Sequence, residues 1–110
     1  MAKVAITHQA TVKGSPKIGF KGKLFFLELD VNVEGSGASK LWLTIDQINE
    51  PAIAYAMRDF FLALGADTHA LDGKPVEVRM RDDGTGCYAV KANRRRWFDV
   101  DKFRKQYHLA

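Results

Sequence analysis

The chain has 110 residues, of which 46% are hydrophobic and 27% charged, as expected of one globular domain and not of a disordered segment. A single cysteine, Cys87, excludes an internal disulfide, which fits a reducing compartment. The net charge of +4 is uneven: residues 74–110 hold ten Lys/Arg against five Asp/Glu, whereas residues 35–73 hold two against five. This uneven distribution of charge favours a polyanionic partner on one side of the protein. The alternative is that the charges only keep the protein in solution.

No stretch of the sequence has the length and hydrophobicity needed to span a bilayer. The N-terminal residues run directly into polar positions and lack the apolar segment of a signal peptide. We therefore expect a cytoplasmic protein that makes no membrane contact.

Strict alternation of apolar and polar residues predicts three strands in the first half of the chain. They cover residues 3–12, 19–34 and 40–45, separated by a turn at 13–16 and a glycine- and serine-rich turn at 35–39. The second predicted strand is the clearest, with one apolar face made of Phe25, Leu27, Leu29, Val31 and Val33. The second and third strands are expected to pair as a hairpin.

A helix is predicted next. Asn49 or Glu50 can cap it, Pro51 suits its first turn and Gly65 can end it. Its apolar stripe has helical spacing and consists of Ile53, Met57, Phe60, Phe61 and Leu64.

The last third of the chain predicts two more strands and a short helix. The strands cover residues 75–81 and 87–92, joined by a hairpin loop at 82–86. A basic, aromatic connector starts at Arg94, and Asp99 or Asp101 then caps the C-terminal helix. The apolar face of that helix comprises Val100, Phe103 and Tyr107.

The element order β-β-β-α-β-β is that of the five-stranded oligonucleotide-binding (OB) barrel. Gly19 and Gly22 would permit the strong curvature that such a barrel needs in its second strand. We therefore expect residues 1–110 to form a single, mainly β, OB-like domain, with residues 94–110 as connector and C-terminal helix. The alternative is an α+β arrangement, in which the helix packs on an open antiparallel sheet.

Three segments between Trp42 and Val90 carry a resemblance to a known family. They are the helix at 54–66 with its Leu-Ala-Leu-Gly-Ala exit, the pattern L-x-G-K-x-V-x-V at 71–78, and the turn at 82–84. This half of the chain resembles small bacteriophage proteins of replication and recombination that are thought to bind single-stranded DNA through an OB-like fold. The resemblance implies single-stranded DNA binding; residues 94–110 do not match the family pattern.

Single-stranded nucleic acid requires cations along its phosphates and flat aromatic faces for its bases. Phe26 and Trp42 lie opposite the apolar rows of their strands, which in a barrel is the outer side. The candidate nucleic-acid-binding residues are Lys21, Lys23, Phe26, Trp42, Arg79, Arg81, Lys91, Arg94, Arg95 and Arg96.

Each candidate has a structural alternative. Trp42 could be core beneath the C-terminal helix, and Phe26 could belong to a second small core. The arginines 94–96 could be a solvated connector paired with Asp99 and Asp101. Trp97 and Phe98 are expected to anchor the last helix. The acidic residues Glu28, Asp30 and Glu34 also oppose a uniformly basic groove.

No pattern in the sequence predicts catalysis or a cofactor. Cys87 has no sequence-local histidine and is expected to be structural, and His8, His69 and His108 match no metal motif. We therefore expect a non-enzymatic binder of single-stranded DNA or RNA with little sequence preference. The alternative is a small protein-binding module, such as a phage or mobile-element inhibitor of a host nucleic-acid machine. A homodimer could form through an exposed strand edge.

Overall fold

The computed structural model describes residues 6–65 and 71–109. The strands are β1 (Thr7–Val12), β2 (Lys17–Lys21), β3 (Leu24–Val33), β4 (Gly37–Asp46), β5 (Pro75–Met80), β6 (Cys87–Lys91) and β7 (Phe98–Asp99). A 3-10 turn (Gln47–Asn49) leads into helix α1 (Glu50–Leu64), and helix α2 (Val100–Gln106) follows β7.

Five of the strands close into a ring. β1 pairs with β3, β3 with β4, β6 with β5, and β5 with β1, all antiparallel. The ring closes where β4 runs parallel to β6, with Leu41 opposite Cys87. This OB-like barrel, with one helix between its third and fourth strands and a short C-terminal helix, confirms the predicted fold; the open-sheet alternative is wrong.

The predicted strand at residues 19–34 is in fact a hairpin. Its chain reverses at Gly22 and Lys23, so that β2 and β3 pair antiparallel with Phe20 opposite Phe25. Gly22 has a φ of 63°, a left-handed conformation that glycine adopts without steric cost. The glycine therefore makes a turn, not the curvature that we expected from it.

Other predicted boundaries differ by a few residues. β4 begins at Gly37 instead of 40, because hairpin pairing with β3 continues to Val33 opposite Gly37. The predicted strands at 75–81 and 87–92 each end one residue earlier. Residues 3–5 of the first predicted strand, and His69, lie outside the described residues.

The core fills the barrel and the space beneath α1. The predicted apolar face of β3 is buried throughout, with no member more than 2% exposed. Ile53, Ala56, Phe60 and Leu64 of α1 are buried against the barrel, while the predicted Met57 and Phe61 are only partly buried. Burial of each such Leu or Phe side chain stabilises the fold by about 1.5–3 kcal/mol.

Three of the four predicted features of the helix ends are as the sequence indicates; the fourth differs, because Asn49 precedes α1 without a side-chain capping hydrogen bond. Pro51 lies in the first turn of α1, and Gly65 ends the helix with a φ of 66° while its N–H donates to the Phe61 carbonyl. Asp99 caps α2 by accepting a hydrogen bond from the Lys102 N–H. The Phe98 ring meets Phe60 of α1 at 5.7 Å and Phe103 of α2 at 5.9 Å, so Phe98 joins the two helices.

Candidate nucleic-acid interface

The outer face of β2, β3 and β4 carries the two predicted stacking residues. The strand register places Phe26 between Gly19 and Thr44, and Trp42 opposite Glu28. The Phe26 ring lies 3.5 Å from where a side chain on Gly19 would begin, so the ring covers a glycine backbone. Both rings are half-buried. Neither is ordinary core, and each retains accessible surface.

Arg81 lies beside Trp42 at the start of the β5–β6 loop. Its guanidinium carbon is 5.8 Å from the centroid of the Trp42 ring. Two hydrogen bonds of 2.9 Å join the guanidinium to both carboxylate oxygens of Asp101 in α2. The hydrogen-bonded Asp101 carboxylate raises the pKa of Arg81. Arg81, a predicted phosphate-binding residue, is thus already paired with an acidic side chain.

Two further cations on this face are paired with carboxylates. The Lys40 ammonium lies 3.7 Å from Glu28, and the Lys17 ammonium lies 4.0 Å from Asp30. Such solvent-accessible pairs contribute about 0–1 kcal/mol, so a phosphate can compete for these lysines. Lys21 and Lys23 are exposed at the β2–β3 hairpin. The face is therefore close to neutral at its centre and basic at the hairpin.

Arg79 and Lys91 belong to a second cluster, on the outer side of β5 and β6. The Arg79 guanidinium carbon lies 4.2 Å from the centroid of the Trp97 ring, and the Lys91 ammonium lies 5.5 Å from it. Lys91 also pairs with Glu77 at 3.3 Å. Cation–π contacts of this kind contribute about 0.5–2 kcal/mol. Trp97 therefore holds both predicted cations against the barrel, while Phe98 packs between the helices as predicted.

The arginines 94–96 form an exposed turn between β6 and β7. Arg94 has a φ of 65°, and the Arg95 guanidinium lies over the backbone of Gly65. Their predicted pairing with Asp99 and Asp101 is wrong, because Asp99 caps α2 and Asp101 binds Arg81. Within residues 6–65 and 71–109, no carboxylate forms an ion pair with these three arginines.

The predicted nucleic-acid-binding residues thus lie in three separate regions of the surface. Phe26, Trp42 and Arg81 share one side of the barrel with the lysines of the β2–β3 hairpin. Arg79 and Lys91 surround Trp97, and the arginines 94–96 occupy the connector. The role of Trp97 as a platform for cations was missed. Trp97 is half-buried whereas its neighbour Phe98 is buried, a difference that the sequence Trp-Phe does not indicate.

The candidate catalytic residues that the structure describes, Cys87, His8 and His108, lie on different elements. Cys87 is buried, its thiol donates a 3.4 Å hydrogen bond to the Ser39 hydroxyl, and burial raises its pKa. His8 lies in β1 and His108 follows α2. In the described part of the chain, no group of three or more His, Cys, Asp or Glu side chains could hold a metal ion.

Neither described helix is long and apolar enough to cross a membrane. Comparison of the chain with protein-family models, curated proteins and solved structures finds no match.

Proposed function

We propose that the protein binds single-stranded nucleic acid, most readily DNA, across the outer face of β2, β3 and β4. The observation that carries the proposal is the position of Phe26 and Trp42, two partly accessible aromatic rings on adjacent strands of an OB-like barrel. Bases would stack on these rings, and the strand would pass Lys21 and Lys23 at the hairpin. The resemblance of residues 42–90 to small phage proteins supports an accessory role in phage replication or recombination.

The energetics of the face favour stacking over phosphate attraction. Base–aromatic stacking contributes about 1–3 kcal/mol per base. Lys21, Lys23 and a displaced Arg81 could neutralise three phosphates, which corresponds to a slope of log affinity against log salt of about −2. We therefore expect weaker salt dependence than a basic groove would produce, together with little sequence preference.

The arginines 94–96 would add phosphate contacts for a longer strand. They are exposed, and the described residues offer them no competing carboxylate. Arg79 and Lys91 are held by Trp97 and Glu77, so we assign them a smaller share of the binding. Reversing the charges of the connector should weaken the binding of long oligonucleotides more than that of short ones. It should also reduce the slope of log affinity against log salt.

The test is fluorescence anisotropy of labelled oligo(dT) with the wild-type protein and the variants Phe26→Ala and Trp42→Ala. Each variant should bind at least about fivefold more weakly, the equivalent of about 1 kcal/mol of lost stacking. Phe20→Ala is the matched control, because Phe20 is 57% exposed in the same hairpin and packs edge-on against Phe25 instead of lying on this face. Unchanged affinity in both folded variants would refute the assignment.

A protein-binding module, for instance an inhibitor of a host nucleic-acid machine, is the second candidate. It is favoured by the charge pairing on the same face, where Glu28, Asp30 and Asp101 already neutralise three cations. A half-buried aromatic surface with a nearly neutral centre resembles the core of a protein interface. Absence of oligonucleotide binding at low salt would favour this candidate over nucleic acid.

A further inference from the structure

A groove runs between α1 and α2 on the helical side of the barrel. Its deeper part is a cleft of about 360 Å³ between the two helices and the segment around β7. An adjoining shallower depression shares Arg58 and Leu62 with it and extends to Arg95. Neither Phe26 nor Trp42 lines either part. The groove is thus separate from the two rings of the proposed nucleic-acid interface.

The groove has an apolar floor. Leu62 is 58% exposed there, although it lies on a helix whose other large aliphatic residues, Ile53 and Leu64, are buried. Phe103 and Tyr107 complete the floor with ring centroids 4.6 Å apart. Such a floor favours the binding of an apolar side chain that a partner molecule inserts into the groove.

The rim of the groove is basic. Arg58, Arg95, Arg96 and Lys102 line it, and Asp59 and Asp99 are the carboxylates that line it in the described chain. Both carboxylates are engaged: Asp59 accepts a 3.1 Å hydrogen bond from Arg58, and Asp99 accepts one of 2.9 Å from the Lys102 N–H. The rim therefore carries an excess of positive charge around an exposed leucine.

We infer that this groove docks an acidic protein segment that carries an apolar anchor residue. Carboxylates of the segment would pair with the rim cations, and the anchor would cover Leu62. The two rings of the floor are poorly suited to bases, because Tyr107 already contacts Phe103 and stacks on Tyr55 at 5.4 Å and an interplanar angle of 21°. An acidic peptide therefore matches both the charge of the rim and the chemistry of the floor better than a nucleic-acid strand does.

The groove supplies its own reporter, because Trp97 lines it. In the variant Trp42→Phe, Trp97 is the only tryptophan of the chain. This protein is titrated with a synthetic peptide of glutamates around a central leucine, and Trp97 emission is followed. We expect a saturable change that weakens with salt. Two control peptides, one with serine for the leucine and one with glutamines for the glutamates, should each bind at least about tenfold more weakly.

Substitutions in the same background locate the site. Leu62→Ser and Lys102→Gln should each lower the affinity for the glutamate–leucine peptide by at least about fivefold. Leu24→Ser and Lys105→Gln are the matched controls, being an exposed leucine and an exposed lysine that do not line the groove, and they should bind as the parent does. Because Trp42 is absent throughout, the outcome does not depend on base stacking at that ring.

Two results would overturn the inference. One is no change of Trp97 emission with the glutamate–leucine peptide at low salt; a change with oligo(dT) instead, lost in Lys102→Gln, would make the groove an extension of the nucleic-acid path. The other is equal binding of the peptide by Leu62→Ser and its parent.

Discussion

Gly86 stands where β4 and β6 close the barrel, and its substitution by alanine tests that closure directly. Its φ is 133°, a conformation that residues with a Cβ rarely adopt. A Cβ at this position would lie 2.5 Å from the carbonyl oxygen of Lys40 and 3.3 Å from the Trp42 ring. The carbonyl belongs to the backbone of β4, so it cannot rotate away as a flexible side chain could.

The expected loss of stability has two parts. Backbone strain at such a φ costs about 1–3 kcal/mol, and overpacking against a fixed neighbour costs about 1–3 kcal/mol more. The sum, about 2–6 kcal/mol, is a large share of the 5–15 kcal/mol typical of a small domain. Gly84 provides the matched control, because its φ is 76° and no heavy atom beyond its two chain neighbours lies within 4 Å of its Cβ position. Gly84→Ala should cost only the left-handed strain, about 1–2 kcal/mol.

The measurement is urea unfolding of the wild type, Gly84→Ala and Gly86→Ala, followed by far-ultraviolet circular dichroism. We expect the Gly86 variant to unfold at the lowest urea concentration, with an unchanged slope of free energy against denaturant. Equal losses in the two variants would refute the reasoning, because they would mean that Lys40 and Trp42 do not confine Gly86.

Three further predictions concern side chains near this seam. Arg81→Met and Asp101→Asn should show a coupling of about 0.5–1.5 kcal/mol in a double-mutant cycle of unfolding free energies, and additive losses would contradict the bidentate bridge. Cys87 should react slowly with iodoacetamide in the folded protein and rapidly in urea, because burial raises its pKa from an ordinary 9.0; rapid reaction when folded would contradict its burial. The Thr85 hydroxyl and N–H lower the pKa of Asp83 from an ordinary 3.8, so its contribution to stability is complete above that value and is lost as pH falls through the lower folded value. Thr85→Ala should raise the Asp83 pKa in an NMR titration, and an unchanged value would exclude the hydroxyl as the cause.

Much of the barrel could be predicted because each strand has one buried face. Alternation over residues 25–33 correctly assigned the inner side of β3, and the proline and glycine at the ends of α1 set its limits. The β2–β3 turn was missed because Gly22 has no asparagine, aspartate or proline beside it, and a glycine inside a strand pattern also fits curvature. The two residues of β7 have no pattern of their own, since pairing with β6 alone defines them.

The candidate site was less predictable, because its electrostatics depend on strand register. The basic residues could be counted from the sequence, but not which carboxylate each would meet. Lys40 reaches Glu28 and Lys17 reaches Asp30 only because β2, β3 and β4 pair in one register. Arg81 and Asp101 are 20 residues apart and meet because α2 returns to the β5–β6 loop. Contacts between residues distant in sequence therefore determine which cations remain available to a ligand.

Arg94 gives the connector a property that its charge alone does not suggest. Its left-handed backbone would be adopted by glycine at about 1–2 kcal/mol lower cost. Glycine at this position should therefore make the protein more stable while removing one of three adjacent positive charges. An Arg94→Gly variant would therefore separate the backbone strain of the connector from its positive charge, because glycine removes both the strain and one cation.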